Sequence, residues 1–215
     1  IYVDPALSEG VSISRYGPWQ DRPDTVANRQ QSILRQVGYG VINRRLQALA
    51  RAADAPFRGA SFGTGDLFED ARQTTLSVSS EDGQWRKGLV AAAVEVRRAL
   101  AYGFSDAEVA EQVAQLRNAL EEDMRGSNTR THNTLAGAAL ALVDEKRIPS
   151  TPQSALERFE GFASRITPAA ALEAVLADVV ALNDPLIRYQ GRTEPQGGAE
   201  ALRAAWNEAA IAQVD

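Results

Sequence analysis

The chain has 215 residues, of which 44% are hydrophobic, enough for one substantial core or at most two small ones. Its formal net charge of −5 makes it a poor candidate for nucleic-acid binding, which requires a basic surface. Because the chain has no cysteine, disulfides, thiolate metal ligands and a cysteine nucleophile are excluded, and no apolar run is long enough for a membrane span.

The first half of the sequence predicts a strand, a long helix, a strand pair and a second helix. Val11 and Ile13 alternate with serines, which indicates a strand that Gly17 and Pro18 end. Helical spacing follows over residues 25–53, where Gly38 and Gly40 indicate a bend or close packing. We then expect two antiparallel strands and a helix, over residues 57–68, 74–80 and 84–102.

The second half is mostly helical. Ser105 followed by Glu108 is a capping box, so a helix should begin there and run to about residue 125. Further helices are predicted over residues 130–146, after Thr151-Pro152, and after Thr167-Pro168 as far as residues 183–185. A short strand over 186–190, a linker and a last helix over 199–214 complete the pattern. This order of elements predicts an α+β fold.

Candidate catalytic groups are few. A catalytic zinc usually takes three protein ligands, mostly histidines, and this chain has one histidine, His132. We therefore expect no metal site and no catalytic residue in the chain. Ser61 stands in a Gly-x-Ser-x-Gly pattern, but a nucleophile elbow needs a strand before it and a helix after it, and a strand is predicted after it here.

A basic cluster lies near the end of the long helix, formed by Asn43, Arg44 and Arg45 together with Arg51. It can be read as surface salt pairing or as recognition of a carboxylate or peptide, which guanidinium groups do well. The residues alone leave both interpretations open.

Several segments in order resemble the insulinase (pitrilysin) family of zinc metallopeptidases, in particular its bacterial branch. They are INRRLQALAR at 42–51, APFRGA at 55–60, GDL at 65–67, TLSV at 75–78, DGQW at 82–85, YGFS at 102–105, ITP at 166–168 and LIRYQ at 186–190. The ordered set carries the resemblance, which covers about residues 11–191.

The resemblance implies an α+β domain with a mostly antiparallel sheet and helices packed on one face. Enzymes of this family combine several such units around a peptide, and zinc sits on a His-x-x-Glu-His motif in one of them. That motif is absent here, so the resemblance implies a non-zinc-binding domain over 1–191, with 192–215 as a linker and the start of a following segment. Zinc is expected in the catalytic domain of the parent protein, and no cofactor in this chain.

The resemblance also implies two substrate-binding positions. A substrate-binding arginine of the family falls on Arg51, and a tyrosine that accompanies it falls near Phe57 and Arg58, which have no phenol hydroxyl. Arg51 and Phe57 are therefore the predicted substrate contacts.

We expect an accessory domain of a zinc-dependent endopeptidase that forms part of the peptide chamber and docks on a homologous zinc-bearing peptidase domain. The alternatives are a non-catalytic scaffold or protein-interaction module with the same fold, and an unrelated small α+β binding module. The sequence starts at Ile1, so we expect a piece of a longer protein, in the periplasm or cytoplasm of a bacterium. An exposed docking face would let the isolated piece self-associate.

Overall fold

The computed structural model describes residues 1–144 and 146–214, which contain a five-stranded sheet and seven α-helices. The strands are β1 (Tyr2–Val3), β2 (Gly10–Pro18), β3 (Gly59–Leu67), β4 (Ala71–Ser79) and β5 (Leu186–Gly191). The helices are α1 (Val26–Ala50), α2 (Trp85–Tyr102), α3 (Asp106–Arg125), α4 (His132–Asp144), α5 (Pro152–Ala163), α6 (Pro168–Asp178) and α7 (Gly198–Ile211), with a short 3-10 turn at Ser127–Thr129.

The sheet has the strand order β1-β5-β2-β4-β3. β2 is antiparallel to β4 and to β5, β3 is antiparallel to β4, and β1 is parallel to β5. The predicted α+β class with a mostly antiparallel sheet is therefore confirmed. The short β1, which sequence patterning missed, makes the sheet mixed.

The chain divides into two compact units. The first unit contains Ile1–Gln20, Tyr39–Gly103 and the chain from Leu176 onward, and so holds the whole sheet with α2, α7 and the second half of α1. The second unit contains Asp21–Gly38 and Phe104–Val175, and is helical.

One face of the sheet is the core of the first unit. Alternation along β2 and β4 buries Val11, Ile13, Leu76 and Val78, and α2 packs on these two strands. Leu46 of α1 and Leu89 of α2 are fully buried in the same unit. Helices thus cover this face, as the resemblance implied.

Helix α7 packs against α2 in the first unit. Its buried residues are Leu202, Ala205 and Ala209, and the Arg97 guanidinium donates hydrogen bonds to the carbonyls of Ala209 and Ala212. The predicted domain boundary at residue 191 stays a prediction.

Predicted helix caps are confirmed. The Ser105 hydroxyl accepts from the Glu108 amide, and the Glu108 carboxylate accepts from the Ser105 amide, which completes the capping box. The Thr151 hydroxyl caps α5 by accepting from the Ser154 amide at 3.1 Å, with Pro152 in the first turn. Gly103 ends α2 with a φ of 77°, which a glycine adopts without strain.

Gly38 reflects close packing within the second unit. A Cβ at this position would lie 2.4 Å from Val175 Cγ2 and 2.9 Å from the carbonyl oxygen of Ala171. Both partners belong to α6, so any larger side chain would push α1 and α6 apart. Of the two interpretations of the glycines in this helix, close packing applies at Gly38.

Helix α6 ends at Asp178, earlier than the predicted end near residues 183–185. The carbonyl of Asp178 accepts a hydrogen bond from Arg72 of β4 at 2.9 Å, and the Val180 amide donates to the Thr74 hydroxyl at 2.8 Å. Because side chains of β4 form hydrogen bonds with these backbone groups, the helix ends there. None of the helices in the described part of the chain is long and apolar enough to cross a membrane.

Candidate functional site

The second face of the sheet, called the open face below, is made of small and polar side chains. Its residues are half-buried or exposed, and the hydroxyls of its serines and threonine form no hydrogen bond within the described chain. Strand alternation gives its members: Gly10, Ser12, Ser14, Tyr16 and Pro18 of β2; Gly59, Ser61, Gly63, Gly65 and Leu67 of β3; Ala71, Gln73, Thr75, Ser77 and Ser79 of β4; Leu186, Arg188 and Gln190 of β5.

Strand β3 forms one edge of the sheet and runs for nine residues. It contains neither proline nor lysine, the residues with which proteins commonly block an exposed edge, and a Cβ at Gly63 or Gly65 would meet nothing within 4 Å. The Asn43 side chain engages the amide and the carbonyl of Phe62 in the middle of this edge. An extended peptide could therefore add as a strand only along the part of β3 that follows Phe62.

The two predicted substrate contacts have different environments. Arg51 follows the last residue of α1 and is exposed, and its side chain forms no hydrogen bond or ion pair with the rest of the described chain. Phe57 is 3% exposed, so its ring lies in the core of the first unit. Beside Phe57 a surface pocket of about 410 Å³ extends between Ala50 and Lys87.

The rim of this pocket is charged and paired. Arg58 Nε and Nη2 each donate to a different carboxylate oxygen of Glu81 at 2.7 Å. This two-point contact lowers the pKa of the Glu81 carboxyl below its ordinary value, since Arg58 favours the charged form. A peptide in this pocket would therefore meet Arg58 already paired, and Lys87 as the exposed cation that lines it. Arg51 does not line the pocket and is the sequence neighbour of the lining residue Ala50.

The remaining members of the basic cluster have structural contacts. Arg45 Nη2 donates to the Gly103 carbonyl at 3.0 Å, and its Nη1 lies 3.9 Å from the Glu95 carboxylate. The Asn43 side chain donates to the Phe62 carbonyl and accepts from the Phe62 amide, both at 2.9 Å, which fixes α1 to β3. Salt pairing is thus the correct interpretation for Arg45.

The serine pattern at residues 59–63 lies inside a strand. Ser61 is in the middle of β3, opposite Ser77 of β4, and β3 continues to Leu67 without a helix following. A nucleophile elbow requires that helix, so the expectation that Ser61 is not a nucleophile agrees with its position.

The described residues do not fit a catalytic zinc. No group of three or more histidine, cysteine, aspartate or glutamate side chains in residues 1–144 and 146–214 could hold a metal ion. His132 is exposed at the start of α4. A zinc of the parent family would therefore need ligands from outside this set.

Two clusters of buried polar side chains were not predicted from the sequence. Glu9 is 5% exposed and its carboxylate accepts from the Gly83 amide at 3.0 Å, the Trp85 amide at 2.8 Å and the Tyr189 hydroxyl at 2.9 Å. It caps α2, whose own N-cap residue, Gln84, makes no side-chain cap. Burial and the nearby Glu9 charge raise the pKa of Tyr189 to about 12.

The second cluster centres on Asp178, which Arg72 and the Tyr39 hydroxyl contact. Tyr39 also reaches the Thr64 hydroxyl at 2.8 Å, and Thr64 contacts Thr74 at 2.7 Å. Burial is the main reason that the pKa of Tyr39 lies above its ordinary value. The sequence did contain a signal for this cluster, because strict alternation along β4 places Arg72 and Thr74 on the buried face.

Solved structures share this fold over nearly the whole chain. The first half of the periplasmic protease PqqL from Escherichia coli has a TM-score of 0.84 and 14% identity, covering 100% of this chain and 47% of its own. A predicted insulinase family protease from Yersinia pestis has a TM-score of 0.72, 16% identity and coverage of 95% and 44%. A peptidase M16 inactive domain from Pseudomonas fluorescens has a TM-score of 0.63, 16% identity and coverage of 90% and 43%.

Neither a protein-family model nor a curated protein matches the sequence. The chain spans less than half the length of each of these three structures. At these identities the similarity concerns the fold, which confirms the resemblance noted from the sequence segments at that level. This chain has the fold of an insulinase-family (M16) peptidase domain.

Proposed function

We propose that this chain is an accessory domain of a zinc-dependent endopeptidase, where it forms part of the peptide-binding chamber and docks on a separate zinc-bearing domain. The observation that carries the proposal is the combination of a protease fold with a described chain that offers no set of zinc ligands. In such a protein the other domain would hold the zinc, which would supply the activation of water for peptide hydrolysis.

The open face and the β3 edge support the peptide-binding part of the proposal. A peptide that lies extended along residues 63–67 of β3, beyond the Phe62 backbone groups that Asn43 engages, would gain backbone hydrogen bonds without regard to its sequence. Glycines at Gly59, Gly63 and Gly65 leave room for its side chains on the open face. Such binding suits a domain that must accept many unfolded segments.

The test combines this chain with the zinc-bearing domain of the same polypeptide or a partner subunit, identified by its His-x-x-Glu-His motif. Hydrolysis of a quenched fluorescent peptide is measured for the zinc-bearing domain alone, for this chain alone and for both together. We expect turnover only from the pair, and its loss on chelation of zinc. A rate that does not change when this chain is added contradicts the chamber role.

Within the assembled enzyme, Arg51 is proposed to contact substrate, with Phe57 as a wall of the adjacent pocket. The variant Arg51→Ala should raise KM several-fold, because a charge-assisted contact to the peptide is lost. Arg203→Ala is the matched control, since Arg203 is also exposed but lies on α7. Unchanged kinetics in Arg51→Ala would remove Arg51 from the substrate site.

A non-catalytic scaffold with this fold is the second candidate, favoured by the likeness to the inactive domain from Pseudomonas fluorescens. The same assay separates the two candidates. A stable complex of the two domains that binds peptide without hydrolysing it, with zinc bound, identifies the scaffold.

A further inference from the structure

The open face carries a single charged side chain. Of the residues that β2, β3, β4 and β5 place on this face, only Arg188 is ionised, and the others are glycine, serine, threonine or other neutral types. The Arg188 side chain is exposed and forms no ion pair or hydrogen bond with the described chain. A guanidinium in this position lacks a counterion, on a protein whose net charge is −5.

Arg188 lies at one end of a row that crosses four strands. Its register partner is Ser12 of β2, which faces Ser77 of β4, which in turn faces Ser61 of β3. With strands about 4.8 Å apart, the row is about 14 Å long. Its three serine hydroxyls have no partner within the described chain, so each is free to donate to or accept from a ligand.

The row forms part of a surface cavity of about 520 Å³. Gly10 and Gly59 belong to the same cavity, and their lack of side chains lets a ligand backbone approach the sheet. Glu9 also borders it, but three donors on the other side of the sheet engage its carboxylate. No unpaired acidic side chain on the open face therefore competes for Arg188.

We propose that this cavity, called the trough below, is a subsite for an extended peptide segment that carries a carboxylate, with Arg188 as the residue that selects the carboxylate. The guanidinium donates two parallel hydrogen bonds to the carboxylate, and the hydroxyls of Ser12, Ser77 and Ser61 bond to the peptide backbone beside it. The choice of a peptide rests on the proposed function. The carboxylate belongs to an acidic side chain or to a peptide C-terminus.

The experiment titrates this 215-residue chain with four acetylated peptides of alternating glycine and threonine and follows amide NMR shifts. The peptides carry either glutamate or glutamine at the centre, each with either a free or an amidated C-terminus. We expect the peptides with a carboxylate to bind about fivefold more tightly than the neutral one at low salt, and the difference to shrink at high salt. The largest shifts should fall on Ser12, Ser77 and Arg188. Comparison of the two singly charged peptides identifies which carboxylate is selected.

Three variants complete the test. Arg188→Gln should abolish the fivefold preference, and Arg203→Gln, an exposed arginine on α7, should keep it. Ser77→Trp fills the trough and should weaken the binding of all four peptides. The proposal is overturned if all four peptides bind alike, if Arg188→Gln retains the preference, or if none of the peptides binds. None of these results would decide the proposed chamber role, because the hydrolysis assay tests that role separately and does not depend on a carboxylate.

Discussion

Arg72 and Asp178, 106 positions apart in the sequence, form an ion pair buried on both sides, with Arg72 Nη2 at 2.6 Å from Asp178 Oδ1. The two side chains are 3% and 4% exposed. Arg72 also donates to the Asp178 carbonyl and lies 3.2 Å from Asp66 Oδ1, while Tyr39 donates to the other carboxylate oxygen of Asp178. The end of α6 is thereby fixed to β4.

The two charges of this pair should not contribute to stability independently of each other. Arg72→Met leaves the Asp178 carboxylate buried without its cation, and we expect a loss of about 3 to 5 kcal/mol in the free energy of unfolding. The double variant Arg72→Met/Asp178→Leu should lose clearly less than the sum of the single variants. Urea denaturation of the four proteins measures this coupling, and additive losses would show that the two charges do not depend on each other.

The Glu9 carboxylate should be worth more to stability than an exposed one. Glu9→Gln places an amide NH2 among three donors, so we expect a loss of about 1 to 3 kcal/mol in the free energy of unfolding. Glu69→Gln, in the exposed turn between β3 and β4, should change it by less than about 0.5 kcal/mol. Equal losses in both variants would mean that the cap of α2 does not depend on the charge of Glu9.

The main elements and several caps could be predicted because their signals are local. Alternation in β2 and β4, the Ser105–Glu108 capping box and the Thr151-Pro152 start each depend on a few neighbouring residues. The cap of α2 could not be predicted in this way, since its acceptor, Glu9, lies 76 positions from the Trp85 amide. The same applies to the early end of α6, which depends on Arg72.

The candidate site shows a similar division. The expectation of no zinc site in this chain rests on composition alone, because one histidine cannot supply the ligands. The open face depends on register between four strands, which alternation within each strand does not give. The sequence therefore did not indicate Arg188 as a site residue, whereas Arg51 was indicated by a family resemblance.

Asp24 should make the second unit sensitive to acid. Arg29 chiefly, and the Ile148 amide at 2.7 Å, lower the pKa of Asp24 to about 2. A lowered pKa in the folded state gives stability that is present above the ordinary aspartate value near 3.8 and is lost as pH falls toward 2.

We therefore expect the denaturation midpoint of the wild type to decrease as the pH is lowered from about 4 to about 2. The midpoint of Asp24→Asn should be lower at the start and should decrease less. Asp54→Asn, at an exposed carboxylate after α1, serves as the control and should follow the wild type. A wild-type profile that coincides with that of Asp24→Asn would refute a role for this pair in acid stability.

Helix α4 should mediate self-association of the isolated chain. None of its described residues is buried, and Leu140 and Val143 are 61% and 75% exposed. The double variant Leu140→Gln/Val143→Gln should shift sedimentation toward the monomer, because it removes apolar surface that association would bury. Leu186→Gln/Ile211→Gln, at two exposed apolar residues of the first unit, is the control. A wild type that stays monomeric over a wide concentration range would contradict the prediction.

The position of β5 has a consequence for synthesis on the ribosome. β2, β3 and β4 can pair as soon as residue 79 has emerged, whereas β1 has no neighbour until β5 arrives, since β5 lies between β1 and β2. Glu9 must likewise wait for Tyr189, 180 positions later, for its third donor. Long-range pairing of this kind is slow and leaves strand edges exposed in the meantime. We therefore expect the nascent chain to hold a three-stranded intermediate with an unpaired edge on β2, which is the stage at which a chaperone would have most to protect.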